Sequence, residues 1–197
     1  MLREYSVISH PRKSVIFVLA VISVFSSHFI ASWFIWFRGR TGIESSFTFS
    51  ALTIFGILYY LFNRWVWKWT VAKVLHFPNL TGEWISVGTG ANLTTGQDYS
   101  WQGTIQIKQT WDKIHIVQTN ESSTSESLTC AIQYSDGIGY IVSYYYSNTP
   151  KMSAKELRRH DGFSVLTFSD DLSLAEGYYF NNIKDRMSYG EIKLTRR

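Results

Sequence analysis

Five histidines and a single cysteine are the first places to look for chemistry in this chain, and their spacing does not support catalysis. His10, His28, His76, His115 and His160 are scattered, and none sit at the intervals that metal ligands keep. Asp170-Asp171 reads as a turn rather than an acid/base pair. No glycine-rich phosphate loop is present, and the Gly88–Gly90 stretch reads as loop. Cys130 alone excludes an intramolecular disulfide and a cysteine zinc cluster. It lies in a strand pattern, where a thiol packs as a small apolar group. The sequons at Asn79, Asn92 and Asn120 are left unused in a cytosolic domain. The chain therefore does not read as an enzyme.

The groups that remain suit binding. Aromatic residues make up 17% of the 197-residue chain, and charged residues only 17%. The net charge of +4 is mild, and much of it lies near apolar stretches, where basic flanks are ordinary. It is not the footprint of a DNA- or RNA-polymer binder. A mean hydropathy of -0.07 averages two unlike parts of the chain.

The first part is apolar. Residues 14–37 read SVIFVLAVISVFSSHFIASWFIWF, with His28 the sole ionisable group, and residues 47–62 read FTFSALTIFGILYYLF. A helix crosses the hydrocarbon core with about 20 apolar residues. The first stretch meets that length. The second does so by extending through Trp65, Trp67 and Trp69, with Arg64 and Lys68 snorkelling outward. A signal peptide fits poorly, because the apolar run is too long and no small-residue cleavage site follows. His28, mid-span, reads as a neutral ring bonded to a neighbouring helix rather than as a proton carrier. Arg3, Arg12 and Lys13 precede the first stretch and Arg64, Lys68 and Lys73 follow the second, with Arg38 and Arg40 between them. That bias places both termini and the large domain in the cytoplasm.

The second part alternates with period two. Residues 82–87, 99–110, 114–119, 128–134, 140–146, 163–168, 174–179 and 189–194 are eight candidate strands. Asp112-Lys113, the serine-rich loop 121–126 and Asp136-Gly137 separate them. Residues 151–159 read as a short helix or a long loop. The expected architecture is two N-terminal transmembrane helices followed by an eight-stranded antiparallel β-barrel, lipocalin-like. The expected division is 1–13 as cytoplasmic N-terminus, 14–77 as hairpin and linker, and 78–197 as barrel. A closed barrel removes exposed strand edges and holds one small ligand; a sandwich is the alternative.

Leu80-Thr81-Gly82-Glu83-Trp84 is similar to the Gly-x-Trp opening of lipocalin-like barrels, in which the Trp closes one end under a late basic residue. Arg196 or Arg197 is placed for that part. The whole chain resembles the transmembrane β-barrel effectors of bacterial CBASS antiphage systems, which are associated with CD-NTase enzymes. The resemblance extends to Tyr146-Ser147-Asn148-Thr149-Pro150, to His160-Asp161-Gly162, and to Gly177-Tyr178-Tyr179-Phe180-Asn181 with Arg186, Ser188, Gly190 and Ile192. It implies an inner-membrane, multi-pass effector without a cofactor. Its barrel would bind a cyclic dinucleotide made by a partner CD-NTase. It would then form homo-oligomers and disrupt membrane lipids, ending in abortive infection.

Such a ligand offers two stackable bases and two phosphates. Candidate base platforms are Trp84, Trp101 and Trp111, each of which could instead pack the barrel. If Tyr140 and Val142 face inward, Tyr144 and Tyr146 do too, and Tyr145 points out. Tyr146 with Asn148 is the candidate for reading base edges, and Tyr178 and Asn181, which precede Arg186, are also assigned to the ligand. Lys155, Arg158, Arg159 and His160 form a basic cluster that is either solvated loop or an attractor of phosphate at a barrel mouth. Arg186 is the preferred phosphate ligand. Gln109, Thr110 and Gln118 are polar positions on half-apolar strands, and of these Thr110 is also assigned to the ligand. A membrane-tethered lipocalin-like carrier of an apolar molecule is the competing reading.

Overall fold

The computed structural model describes residues 1–8, 10–41, 50–69, 75–154, 158–183 and 186–197, with the side chains of 182, 183 and 186 left aside. The chain divides into two compact units, one of Met1–Ser9 with Ala72–Arg197 and one of His10–Val71.

The His10–Val71 unit is helical. α1 runs over Arg12–Thr41, 30 residues, or about 45 Å at 1.5 Å per residue. It is long and apolar enough to cross a membrane. Its surface presents Phe17, Phe25, Phe29 and Ile35 outward, which water would penalise and lipid would not. Its hydroxyls fold back onto the helix: Ser23 donates to the Ala20 carbonyl, Ser27 to Val24 and Ser32 to His28. That is how such groups are satisfied where water is absent. His28 itself is exposed on α1. α2 covers Ala51–Arg64, 14 residues, with Ser50 as N-cap accepting from the Thr53 N–H. At about 21 Å this described portion falls short of a full crossing. Part of the expected second span, residues 47–49, lies outside the described residues. A 3-10 turn at Val66–Lys68 follows.

The other unit is a closed antiparallel barrel of eight strands: β3 (Gly82–Asn92), β4 (Gln97–Gln109), β5 (Lys113–Asn120), β6 (Ser123–Ser135), β7 (Gly139–Pro150), β8 (His160–Phe168), β9 (Leu174–Ile183) and β10 (Arg186–Arg196). β10 pairs with β3, and β5 pairs with β6, which closes the ring. All eight expected segments are strands, most of them longer than the sequence pattern suggests. The serine-rich segment is the clearest difference, since residues 123–126 of the expected 121–126 loop already belong to β6, which starts at Ser123. Ser123, Ser125 and Ser127 are buried on its inner face, so tertiary pairing overrides their turn preference. A bulge between Ser127 and Thr129 then switches the inward set to Cys130 and Ile132.

Two short strands precede the helices in sequence, β1 (Arg3–Glu4) and β2 (Ser6–Ile8). β5 and β6 pair directly only over Val117–Thr119 against Thr124–Glu126. Where they splay, β1 pairs antiparallel with Ile114 and Lys113, and β2 pairs parallel with Ala131–Gln133. Residues 3–8 thus fill the barrel seam, a role the sequence pattern did not suggest.

One barrel end is plugged. Trp84, fully buried, meets Phe168 edge-on at 5.1 Å, and the Arg196 guanidinium lies 5.2 Å above the Trp84 ring. Arg196 donates to the Thr81 carbonyl at 2.7 Å. The Gly-x-Trp closure therefore uses Arg196, while Arg197 pairs with Glu83 on the exterior. Phe77 stacks on Trp111 at 4.4 Å at the same end.

Candidate functional site

Strand alternation decides which side chains enter the barrel. On β7, Tyr140, Val142, Tyr144, Tyr146 and Asn148 are buried, while Tyr145 is 38% exposed and donates to Asp161 on the outer face. At the plugged end the interior is apolar, with Ile105, Ile107, Leu166 and Leu194 filling it. Towards the opposite end it becomes polar and opens into a cavity of about 260 Å³. The end of β5, the start of β6 and the turn between them, with Asn120, Ser122 and Ser123, lie at this open end.

Two groups of side chains shape the cavity. The first is aromatic. Trp101 Nε1 donates to the Tyr179 hydroxyl at 3.0 Å, their rings edge-to-face with centroids 5.9 Å apart. The Tyr179 hydroxyl in turn lies 3.2 Å from that of Tyr99. Inward glycines on β3 make room for these rings. A Cβ on Gly88 would run into the Trp101 indole, and one on Gly90 would lie 2.5 Å from the Tyr179 hydroxyl and the Tyr99 ring. Gly88 and Gly90 are thus strand residues at a close approach, not loop.

The second group is hydroxyls and amides. Tyr146 donates to Asn181 Oδ1 at 2.5 Å, and Asn181 Nδ2 donates to Ser188 at 3.0 Å. Asn148 Nδ2 donates to Ser123 and Ser125 at 2.9 and 2.8 Å. Burial pushes the Tyr144 hydroxyl up to about 12 and raises that of Tyr146 as well, so both stay protonated. His160 Nδ1 donates to the Arg158 carbonyl at 2.9 Å. Among the described lining residues there is no Lys, Arg, Asp or Glu. The described wall is aromatic on one side and hydrogen-bonding on the other. That combination suits a planar ring with polar edges.

The sequence-derived candidates divide accordingly. Tyr146, Asn148, His160 and Asn181 line the cavity. Trp84, Thr110 and Trp111 lie at the plugged end, where Trp84 and Trp111 are packed and the Thr110 hydroxyl donates to Asp112 at 2.9 Å. Tyr178 is 53% exposed on the exterior; it shares parity with Phe180, not with Asn181. Arg158 is exposed. Lys155 and the Arg186 side chain lie outside the described residues.

Tyr99, Tyr179, Ser123, Ser125, Ser164 and Ser188 also line the cavity and were not named as ligand contacts from sequence. Parity could have found Tyr179, two residues before Asn181 on one strand. Ser123 and Ser125 carried no such signal, because they lie in a segment that reads as a turn.

Known proteins agree with this anatomy. Residues 75–196 match the family model for the Cap15 cyclic dinucleotide receptor domain, and residues 13–68 match that for the Cap15 TM helices. The chain is 36% identical to CD-NTase-associated protein 15 of Yersinia aleksiciae over 182 residues, covering 90% of this chain and 85% of that one. The chain thus belongs to the Cap15 family, CBASS-associated proteins that join TM helices to a cyclic dinucleotide receptor domain.

Proposed function

We propose that this protein is a membrane effector whose barrel binds a cyclic dinucleotide and whose helices act on the inner membrane in response. Ligand binding promotes homo-oligomerisation, and the assembled helices disrupt lipid packing, ending the infected cell. The nucleotide is supplied by a functionally linked CD-NTase. The barrel and both termini are cytoplasmic, so the ligand meets the receptor where it is made. The protein works by binding, without cofactor or catalysis.

The observation that carries this reading is the cavity wall, with Trp101, Tyr179 and Tyr99 on one side and Tyr146, Asn148 and Asn181 on the other. Aromatic faces hold bases by stacking, and neutral amides and hydroxyls bond base edges and sugar. A carrier of apolar molecules would leave these groups without partners, at a cost for each.

The test is titration calorimetry of the full-length protein in detergent against a panel of 3′,3′-linked cyclic dinucleotides, followed by dye release from vesicles of inner-membrane lipid. Binding of one member, with leakage that depends on it, supports the reading. No heat with any member, or a co-purified lipid in native mass spectra, overturns it in favour of the carrier.

A further inference from the structure

Hydrogen-bond logic fixes the orientation of one amide in the cavity wall. The backbone N–H groups of Ser122 and Ser123 point at one side-chain atom of Asn120, at 3.0 and 2.7 Å. Only the carbonyl oxygen can receive them. The Ser123 hydroxyl gives its single hydrogen to the same oxygen at 3.1 Å. The Ser123 oxygen is thereby an acceptor towards its other neighbour, Asn148. The nitrogen of Asn148 must then face it, and both hydrogens of that nitrogen go to Ser123 and Ser125.

The oxygen of Asn148 is left over. Asn148 Oδ1 is buried and has no hydrogen-bond partner, while its residue forms part of the cavity wall. Asn181, another amide in that wall, has both ends engaged, by Tyr146 and Ser188. Asn148 is held between two neighbours on the ladder, Ser125 on β6 and His160 on β8, so the amide cannot turn without breaking the serine contacts. A buried acceptor without a donor is costly to leave so, and such a group is satisfied when a donor is brought to it.

We propose that Asn148 determines ligand specificity by accepting a hydrogen bond from an N–H on one base of the dinucleotide. This rests on the cyclic dinucleotide reading given above. The polarity excludes a phosphate at this point, because phosphate oxygens are themselves acceptors and the amide hydrogens are already engaged. The donor is a ring N–H or an exocyclic amine, so the group selects against a base alkylated or lacking hydrogen at that position. The base lies against β7 with its polar edge towards Asn148, and the phosphates lie away from it.

The test compares wild type, Asn148→Leu and Asn148→Asp in the full-length protein. Each is titrated with the best cyclic dinucleotide and with an analogue of it whose base N–H is replaced by methyl or removed. The expected result is a loss of about tenfold in affinity for Asn148→Leu with the parent ligand. Asn148→Asp, which keeps an acceptor, loses less. Wild type binds the analogue about tenfold more weakly, and Asn148→Leu no longer distinguishes the two ligands. Equal losses for Leu and Asp variants, with undiminished discrimination between the ligands, would overturn the proposal and make Asn148 a brace for β6. Should either variant fail to fold, wild type against the parent and analogue pair decides alone: equal affinity sinks the idea. A wild type that binds no dinucleotide fails the functional reading itself, a separate and recognisable outcome.

Discussion

Gln109 donates from Nε2 to the Tyr5 hydroxyl at 3.1 Å, joining the end of β4 to the residue between β1 and β2. The same nitrogen donates to the Pro78 carbonyl at 3.1 Å, and Gln109 Oε1 accepts from the Leu80 N–H at 2.9 Å. The Tyr5 hydroxyl passes its own hydrogen to the Trp111 carbonyl at 3.1 Å. One buried amide therefore ties together the N-terminal strand segment and the chain entering β3.

Removing that amide leaves several buried groups unpaired. Each costs about 1–3 kcal/mol, so Gln109→Leu lowers the unfolding temperature of the full-length protein by several degrees at least. Tyr5→Phe gives a smaller drop in the same direction. Thermal scans by intrinsic fluorescence in detergent check both; unchanged midpoints would mean the clasp contributes nothing to stability.

Arg196 acts at the plugged end, away from the cavity. Arg196→Ala removes a cation–π contact with Trp84 and donors to the carbonyls of Thr81 and Leu172. A destabilisation of roughly 1–3 kcal/mol follows, with ligand affinity unchanged within a factor of about two, the spread expected for sites that share no partners. Urea unfolding and calorimetry on one preparation separate these effects. An affinity loss larger than the stability loss would show that the plug communicates with the cavity.

Trp101 and Tyr178 make an informative pair, one inward and one outward. Trp101→Ala removes a stacking surface worth roughly 1–3 kcal/mol, about tenfold to a hundredfold in Kd. Tyr178→Ala leaves Kd alone. Gly88→Ala offers a subtler version, because the added methyl meets the Trp101 ring. It shifts tryptophan fluorescence and weakens binding without removing any ligand contact. Equal effects of Trp101→Ala and Tyr178→Ala on Kd would contradict the alternation on which the site rests.

Asp171 gives the barrel a defined acid response. Hydrogen bonds from the Ser169 and Ser173 hydroxyls hold its carboxyl at about 2, below the ordinary 3.8. A folded-state value below the unfolded one stabilises the fold above the unfolded value, and that stability is lost as pH falls from about 4 to about 2. Asp171→Asn removes this contribution at neutral pH and flattens the acid limb of the stability curve. Chemical unfolding midpoints at pH 7, 4 and 2.5 test it, and parallel curves for variant and wild type would refute it.

Much of the barrel was legible from period two alone, because each strand has one face on an apolar or aromatic interior. Alternation also sorted Tyr144 and Tyr146 from Tyr145 before any coordinates. It was equally able to separate Tyr179 from Tyr178, yet naming Tyr178 beside Asn181 set two opposite-parity residues on one face. The polar half of the cavity was hidden for a different reason. Ser123 and Ser125 have the composition of a turn, and only pairing with β7 makes them strand. Trp84 and Trp111 look like base platforms by type, but the apolar end of a barrel needs large plugs as much as a ligand site does. β1 and β2 are too short for periodicity to register, and their order comes from the edges that β5 and β6 offer and from the Tyr5 anchor.

Those two strands bear on how the protein is handled. A fragment cut at the conventional start of the barrel, near residue 78, would expose a ladder edge on β5 and another on β6 and would lose the Tyr5 anchor. Open edges of this kind recruit strands from neighbouring molecules, so such a fragment would assemble without any ligand. A purification tag placed at the N-terminus would load the same seam, since Met1 lies two residues from the first ladder pair at Arg3.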